Sequence, residues 1–215
     1  MIRYLPIALF APLLLACGRA PPSAGPDPAA ASRPAAAPAP AAAVADAGSA
    51  FERTLDLQGI RFVVTSPNTS VDNRVSIAPS GLEIDNQPVE WPVDGRVIGA
   101  RVADLDANGS PEVYVFATSD GSGSYGSLVG YAANRRKSLS QIYLAPIAED
   151  TKLAPGYLGH DVFDIDGNVL VRRFPLYRDG DSNSAPSGGA REVRYRLAPG
   201  EAGWLLVVDS VVDRP

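Results

Sequence analysis

From residue 51 onward, apolar and polar positions alternate with a period of two. Thr54-Leu55-Asp56-Leu57, Arg61-Phe62-Val63-Val64 and Arg74-Val75-Ser76-Ile77 each line one face with apolar side chains. Residues 97–102 and 112–116 are denser in apolar side chains, the pattern of more central strands. Further strands are predicted at 126–132, 141–144, 160–165, 169–174, 191–197 and 204–212. Turn chemistry separates them at Pro79-Ser80-Gly81, Asp94-Gly95, Asn108-Gly109, Asp166-Gly167-Asn168 and Pro199-Gly200. No long segment keeps a helical period, and at most one helical turn fits within 145–152. The pattern predicts an all-β fold, a single antiparallel β-sandwich or barrel-like domain over residues 51–215.

The first 50 residues have a different composition. Met1-Ile2-Arg3 followed by an apolar run to Ala16 has the form of an export signal, broken by Pro6 and Pro12 and short for a membrane span. Leu14-Leu15-Ala16-Cys17 resembles the bacterial lipobox, which implies lipidation of Cys17 after removal of residues 1–16. Acyl chains there would anchor the protein to a membrane. Gly18 after the cysteine resembles outer-membrane sorting, so the expected place is the periplasmic side of the bacterial envelope. Residues 18–50 hold 15 alanines and 7 prolines. The prolines block helix through most of the segment, and Val44 is its one large apolar side chain. Residues 17–50 therefore read as the lipidated cysteine and a disordered Ala/Pro-rich tether.

Charge and composition narrow the function. Residues 51–215 carry 16 basic and 22 acidic side chains, a poor balance for binding nucleic acid. Cys17 is the single cysteine and His160 the single histidine. That excludes an internal disulfide, thiol catalysis in the folded part and the usual zinc sites, and leaves only His160 for a catalytic triad. No enzyme activity and no resident cofactor are expected, with calcium as the one cation left open.

Three loops carry candidate chemistry. Asp104-Leu105-Asp106-Ala107-Asn108-Gly109-Ser110-Pro111-Glu112 places oxygen ligands at alternate positions before a glycine, as calcium loops do. An EF-hand needs a bidentate acid at its twelfth position, which is Val115 here, and strands flank this loop. The alternative is a β-hairpin whose Asp and Asn side chains cap the turn. Asp179-Gly180-Asp181-Ser182-Asn183 opens a long polar loop that offers a second contact surface. Thr118 to Ser127 contains Gly121, Gly123 and Gly126, expected to supply positive φ and close approach, with hydroxyls from Ser122, Ser124 and Tyr125. No Gly-Lys-Ser/Thr follows for a phosphate cradle, and no base adjoins the serines.

Ser122-Gly123-Ser124-Tyr125-Gly126, continued by Val129-Gly130-Tyr131 and Ser138-Leu139-Ser140-Gln141, resembles the PliI family, periplasmic inhibitors of invertebrate-type (i-type) lysozyme. The resemblance extends to Asp104 through Glu112, Gly159-His160-Asp161, Arg172-Arg173-Phe174-Pro175, Gly180-Asp181, Gly188-Gly189 and Gly200 through Trp204. It covers most of residues 95–212 and implies a β-sandwich-like fold. It also implies that the Ser122 and Tyr125 hydroxyls enter the lysozyme cleft and meet its catalytic carboxyl groups. Gly123 would then permit the tight loop, and Ser124 would be a lesser contact.

Two other readings remain at this point. Asp104, Asp106, Asn108 and Glu112 suit a calcium-stabilised adhesion or scaffold module. Trp91, Trp204 or Tyr125 could stack on glycans, although Trp204 in an alternating strand is expected in the core. Arg135-Arg136-Lys137 is expected at an exposed hairpin tip, and Arg172-Arg173 should point to opposite faces of a strand. An unpaired edge strand would allow a homodimer.

Overall fold

The computed structural model describes residues 49–215. Cys17, the signal segment and all but the end of the tether lie outside the described residues. The described residues are all-β, with twelve strands and one short 3-10 turn at Ile147–Glu149. Strands β1 (Phe51–Leu57), β2 (Ile60–Ser66), β3 (Arg74–Ser80) and β4 (Val89–Pro92) form one antiparallel sheet in chain order. Eight strands form the second: β5 (Arg96–Ala103), β6 (Glu112–Thr118), β7 (Gly126–Asn134), β8 (Ser138–Leu144), β9 (Val162–Asp166), β10 (Val169–Pro175), β11 (Ala190–Pro199) and β12 (Trp204–Arg214). Their spatial order is β5-β6-β7-β8-β12-β11-β10-β9.

The eight-stranded sheet curls into a nearly closed barrel. Arg101 on β5 and Asp164 on β9, the two end strands, come within 3.9 Å. Phe116 and Phe163 stack across the interior with ring centroids 5.5 Å apart. All neighbours run antiparallel except β8 and β12, which are parallel over Trp204–Leu206 against Ile142–Leu144. Among the described residues no helix is long and apolar enough to cross a membrane.

Two cores explain the apolar pattern. One lies between the four-stranded sheet and the outer face of β5–β7, built from Phe62, Val64 and Ile77 against Val97, Val113, Val115 and Val129. The other fills the curl with Tyr114, Phe116, Leu170, Phe174, Tyr195 and Leu206. Strand β6 belongs to both, so both of its faces are apolar and its sequence loses the alternation of a half-exposed strand.

Polar side chains stitch the two sheets together. Asn68, in the left-handed region at φ 50°, uses its side chain as a surrogate strand. Its Oδ1 accepts from the Val97 N–H at 2.9 Å, and its Nδ2 donates to the Val97 carbonyl at 3.1 Å. Asn73 donates to the Gly95 carbonyl at 2.8 Å. Removing the Asn68 amide strands buried backbone groups, which costs about 1–3 kcal/mol. Asn68→Ala is therefore expected to lower unfolding stability by about that amount in urea titration, with the midpoint shifted and the slope unchanged.

One expectation needs correction. Pro79 and Ser80 end strand β3 and do not form a turn. Pro79 pairs only with Phe62 of β2, beyond the stretch of β3 that pairs with β4. The Arg135-Arg136-Lys137 segment is the expected hairpin tip between β7 and β8, with Arg135 and Lys137 exposed and Arg136 half-buried. The Arg136 guanidinium donates to the Gln58 carbonyl at 2.8 Å, and the Arg136 and Lys137 carbonyls accept from Glu83, Ile84 and Asp85.

Candidate functional site

The seven residues from Ser119 to Tyr125 connect β6 to β7. The loop is closed at its base by its own residues. The Ser119 N–H donates to the Tyr125 carbonyl, and the Tyr125 N–H donates to the Ser119 hydroxyl oxygen, each at 2.9 Å. Inside it, the Ser124 N–H donates to the Gly121 carbonyl at 2.9 Å. Positive φ falls on Ser124, at 42°, and not on Gly121, Gly123 or Gly126, contrary to the expectation from composition.

Gly123 and Gly126 are required for space. A Cβ on Gly123 would run into the Tyr125 ring. One on Gly126 would lie 2.5 Å from the Asp161 Cβ and 2.9 Å from Phe163. A Cβ on Gly121 would meet nothing within 4 Å. Gly126→Ala is thus expected to destabilise by about 1–3 kcal/mol through overpacking, while Gly121→Ala stays within about 0.5 kcal/mol of the parent. Thermal denaturation of the two variants side by side checks this.

Beneath the loop sits a buried ion pair. Arg172 is 4% exposed, and its Nε donates to Asp161 Oδ1 at 2.7 Å. Asp161 Oδ2 accepts from the Gly126 N–H and from the Tyr157 hydroxyl, both at 2.7 Å. Arg172 Nη2 donates to the Tyr157 hydroxyl oxygen at 2.9 Å and to the Gly126 carbonyl at 3.3 Å. The pair therefore holds both backbone polar groups of Gly126, the residue next to Tyr125. The guanidinium also packs 5.0 Å from the Phe163 ring centre and 5.5 Å from that of Tyr157. Burial pushes the Tyr157 hydroxyl well above the usual phenol range, so it stays a donor to Asp161.

Two further segments brace the loop. The His160 N–H donates to the Gly123 carbonyl at 2.7 Å. The Asn183 side-chain amide donates to the Ser122 carbonyl. The polar loop after β10 therefore joins the Ser122 loop, and Asp181 shapes it by accepting from the Arg178 and Ser187 N–H groups and the Ser187 hydroxyl. The His160 ring lies with Nε2 3.2 Å from Asn183 Oδ1 and stacks on Tyr177.

What remains outward is short. Tyr125 is 46% exposed, its ring edge-on to Tyr157 at 5.7 Å. Ser122 is exposed as well. No hydrogen bond to the Ser122 or Tyr125 hydroxyl occurs within the described residues. Leu158 adds exposed apolar surface beside the loop, and its carbonyl would lie 3.1 Å from a Cβ added to Gly123. A cavity of about 320 Å³ adjoins Tyr125, with Leu128, Leu144, Pro146 and Ile147 in its wall.

The Asp104–Glu112 segment is at the other end of β6. It is a turn between β5 and β6, and its acids do cap backbone. Asp104 accepts from the Asn108 and Gly109 N–H groups and from the Gln58 amide. Burial pushes the Glu112 carboxyl up to about 8, with Asp106 and Asp104 adding to the rise and the Leu105 N–H opposing it. The three tryptophan and tyrosine candidates do not gather. Trp204 packs partly buried on the barrel core, Trp91 lies exposed on β4, and Tyr125 belongs to the loop.

Sequence reasoning placed Ser122, Gly123, Ser124 and Tyr125 together but missed their support. The signal for Arg172 was present: Leu170, Arg172 and Phe174 share a strand face, and both neighbours are core residues. Tyr157 gave no such signal, because it lies outside the regular strands. No family model, curated protein or solved structure matches the chain.

Proposed function

We propose that this protein is an inhibitor of i-type lysozyme, a binding protein that protects peptidoglycan by filling the enzyme cleft with the Ser122–Tyr125 loop. The observation that carries the reading is a pair of hydroxyls with no partner among the described residues, on a loop whose backbone is held from four sides. Lysozymes act through two carboxyl groups facing a sugar cleft. Two hydroxyl donors on a rigid, narrow projection suit those carboxyls, and a half-exposed tyrosine ring excludes water from them. Holding the loop in place beforehand reduces the ordering cost of binding. The residue pattern that resembles the PliI family is the second support, and it centres on the same loop.

In this reading Ser122 and Tyr125 donate to the enzyme carboxylates, Gly123 lets the Tyr125 ring fold back against the loop, and Leu158 and the adjoining cavity meet the cleft rim. The Cys17 anchor and the tether would present the domain from the membrane. The test is a cell-wall lysis assay with the full chain titrated against invertebrate, chicken and goose lysozymes. Selective loss of invertebrate-type activity near one equivalent is the expected result. Undiminished lysis by all three would overturn the proposal.

A further inference from the structure

At the far end of β6, Asp104, Asp106 and Glu112 each turn a carboxylate oxygen to a common point, the three atoms lying within 4.8 Å of one another. Two of the residues lie at the surface of the β5–β6 turn, and Glu112 closes the cluster from the protein interior with no exposed area. Glu112 Oε2 accepts from the Leu105 N–H at 2.8 Å and lies 3.4 Å from the Tyr114 hydroxyl. Its Oε1 is buried and has no hydrogen-bond partner among the described residues. A buried carboxylate with an unsatisfied oxygen, beside two further carboxylates, is satisfied by a proton or by a cation. We propose that Asp104, Asp106 and Glu112 bind a calcium ion that fastens the β5–β6 turn.

The donor chemistry selects the ion. All the side-chain donors are hard oxygens, with no sulfur or imidazole, which favours calcium or magnesium over zinc. Carboxylates from several positions of one loop suit the flexible, many-oxygen shell of calcium better than the small octahedral shell of magnesium. The acid that an EF-hand places twelfth is placed ninth here, because a strand leads out of the loop and aims Glu112 back beneath it. Asn108 links to the cluster by donating to Asp106 Oδ2 at 2.7 Å.

The site differs from a tight calcium sensor in one respect. The Arg136 guanidinium lies 3.5 Å from the Gly109 carbonyl, and its positive charge opposes the ion. Affinity is expected in the range of extracellular modules, on the order of 10⁻⁴–10⁻³ M. The consequence is structural. Gln58, from the β1–β2 turn, donates to Asp104 at 2.6 Å, so an ion there would join the two sheets as well as the turn.

The experiment uses the full chain stripped with EDTA and compared with and without about 10 mM calcium chloride, sodium chloride matching the ionic strength. Calcium is expected to raise Tm by about 5 °C and to give a one-site binding isotherm. Glu112→Gln replaces the interior carboxyl ligand with a neutral amide and should abolish both responses. Asp106→Asn changes only a surface carboxylate, so it should fold like the parent and lose the response. No shift in the parent chain, or an equal shift in Asp106→Asn, would overturn the proposal.

Discussion

Arg172→Met is expected to cost about 3–5 kcal/mol of folding stability, a large part of the roughly 5–15 kcal/mol that holds a domain of this size together. The variant removes the only guanidinium on Asp161 and leaves a carboxylate at a site where its side chain has no exposed area. Two donors remain, the Gly126 N–H and the Tyr157 hydroxyl, and they do not cancel a full buried charge. Chemical denaturation measures the loss. The double variant Asp161→Asn/Arg172→Met distinguishes an uncompensated charge from lost packing. The asparagine carbonyl can still accept from Gly126, and no buried charge remains, so part of the stability should return. If the double variant is no more stable than the single, packing of the arginine on Phe163 and Tyr157 is the larger contribution. Arg172→Met also frees the Gly126 carbonyl, so inhibition measured well below Tm should weaken too.

The second large effect concerns binding with the fold intact. Ser122→Ala and Tyr125→Phe each delete one hydroxyl that bonds nothing among the described residues. Unfolding stability should therefore stay within about 0.5 kcal/mol of the parent. A hydrogen bond to an ionised carboxylate is worth about 1.5–3 kcal/mol, so each single variant should weaken lysozyme binding about tenfold to a hundredfold. The double variant should lose about a hundredfold or more, with the two losses adding incompletely because the residues share one loop. Tyr125→Phe keeps the ring and its edge contact with Tyr157, so its loss isolates the hydroxyl. A double variant that inhibits like the parent would place the contact elsewhere.

Much of the fold was legible because its strands are local objects. The alternation at Arg61-Phe62-Val63-Val64 and the density at Glu112 to Phe116 follow from which faces are covered, and each is written in consecutive residues. Strand β4 was missed for a physical reason. Val89-Glu90-Trp91-Pro92 is short, follows Pro88, ends in Pro92 and is mostly exposed, so its single Val-Glu-Trp alternation is too brief to read as a strand. The parallel pairing of β8 with β12 joins residues far apart in the chain and leaves no trace in either strand.

The loop residues were legible and their support was not. Ser122 and Tyr125 stand out by composition and by resemblance. The clamp of Asp161, Tyr157 and Arg172 is assembled from one strand and an irregular segment before it, and charged residues there read as surface until the strand face is worked out. Glu112 repeats the lesson. It shares its face with Tyr114 and Phe116, both core residues, so the apolar run that predicts a strand covered on both faces also predicts a buried acid. Gly123 and Gly126 provide clearance in place of the expected positive φ, because composition shows where Cβ is absent and not which contact requires it.

The central claim is that the Ser122–Tyr125 loop occupies a lysozyme cleft. Calorimetric titration of the full chain into an i-type lysozyme, with and without a saturating N-acetylglucosamine oligosaccharide in the cleft, tests it most directly. The account predicts one-to-one binding whose apparent affinity falls in proportion to oligosaccharide occupancy. Binding that is indifferent to the oligosaccharide, or absent altogether, would contradict it.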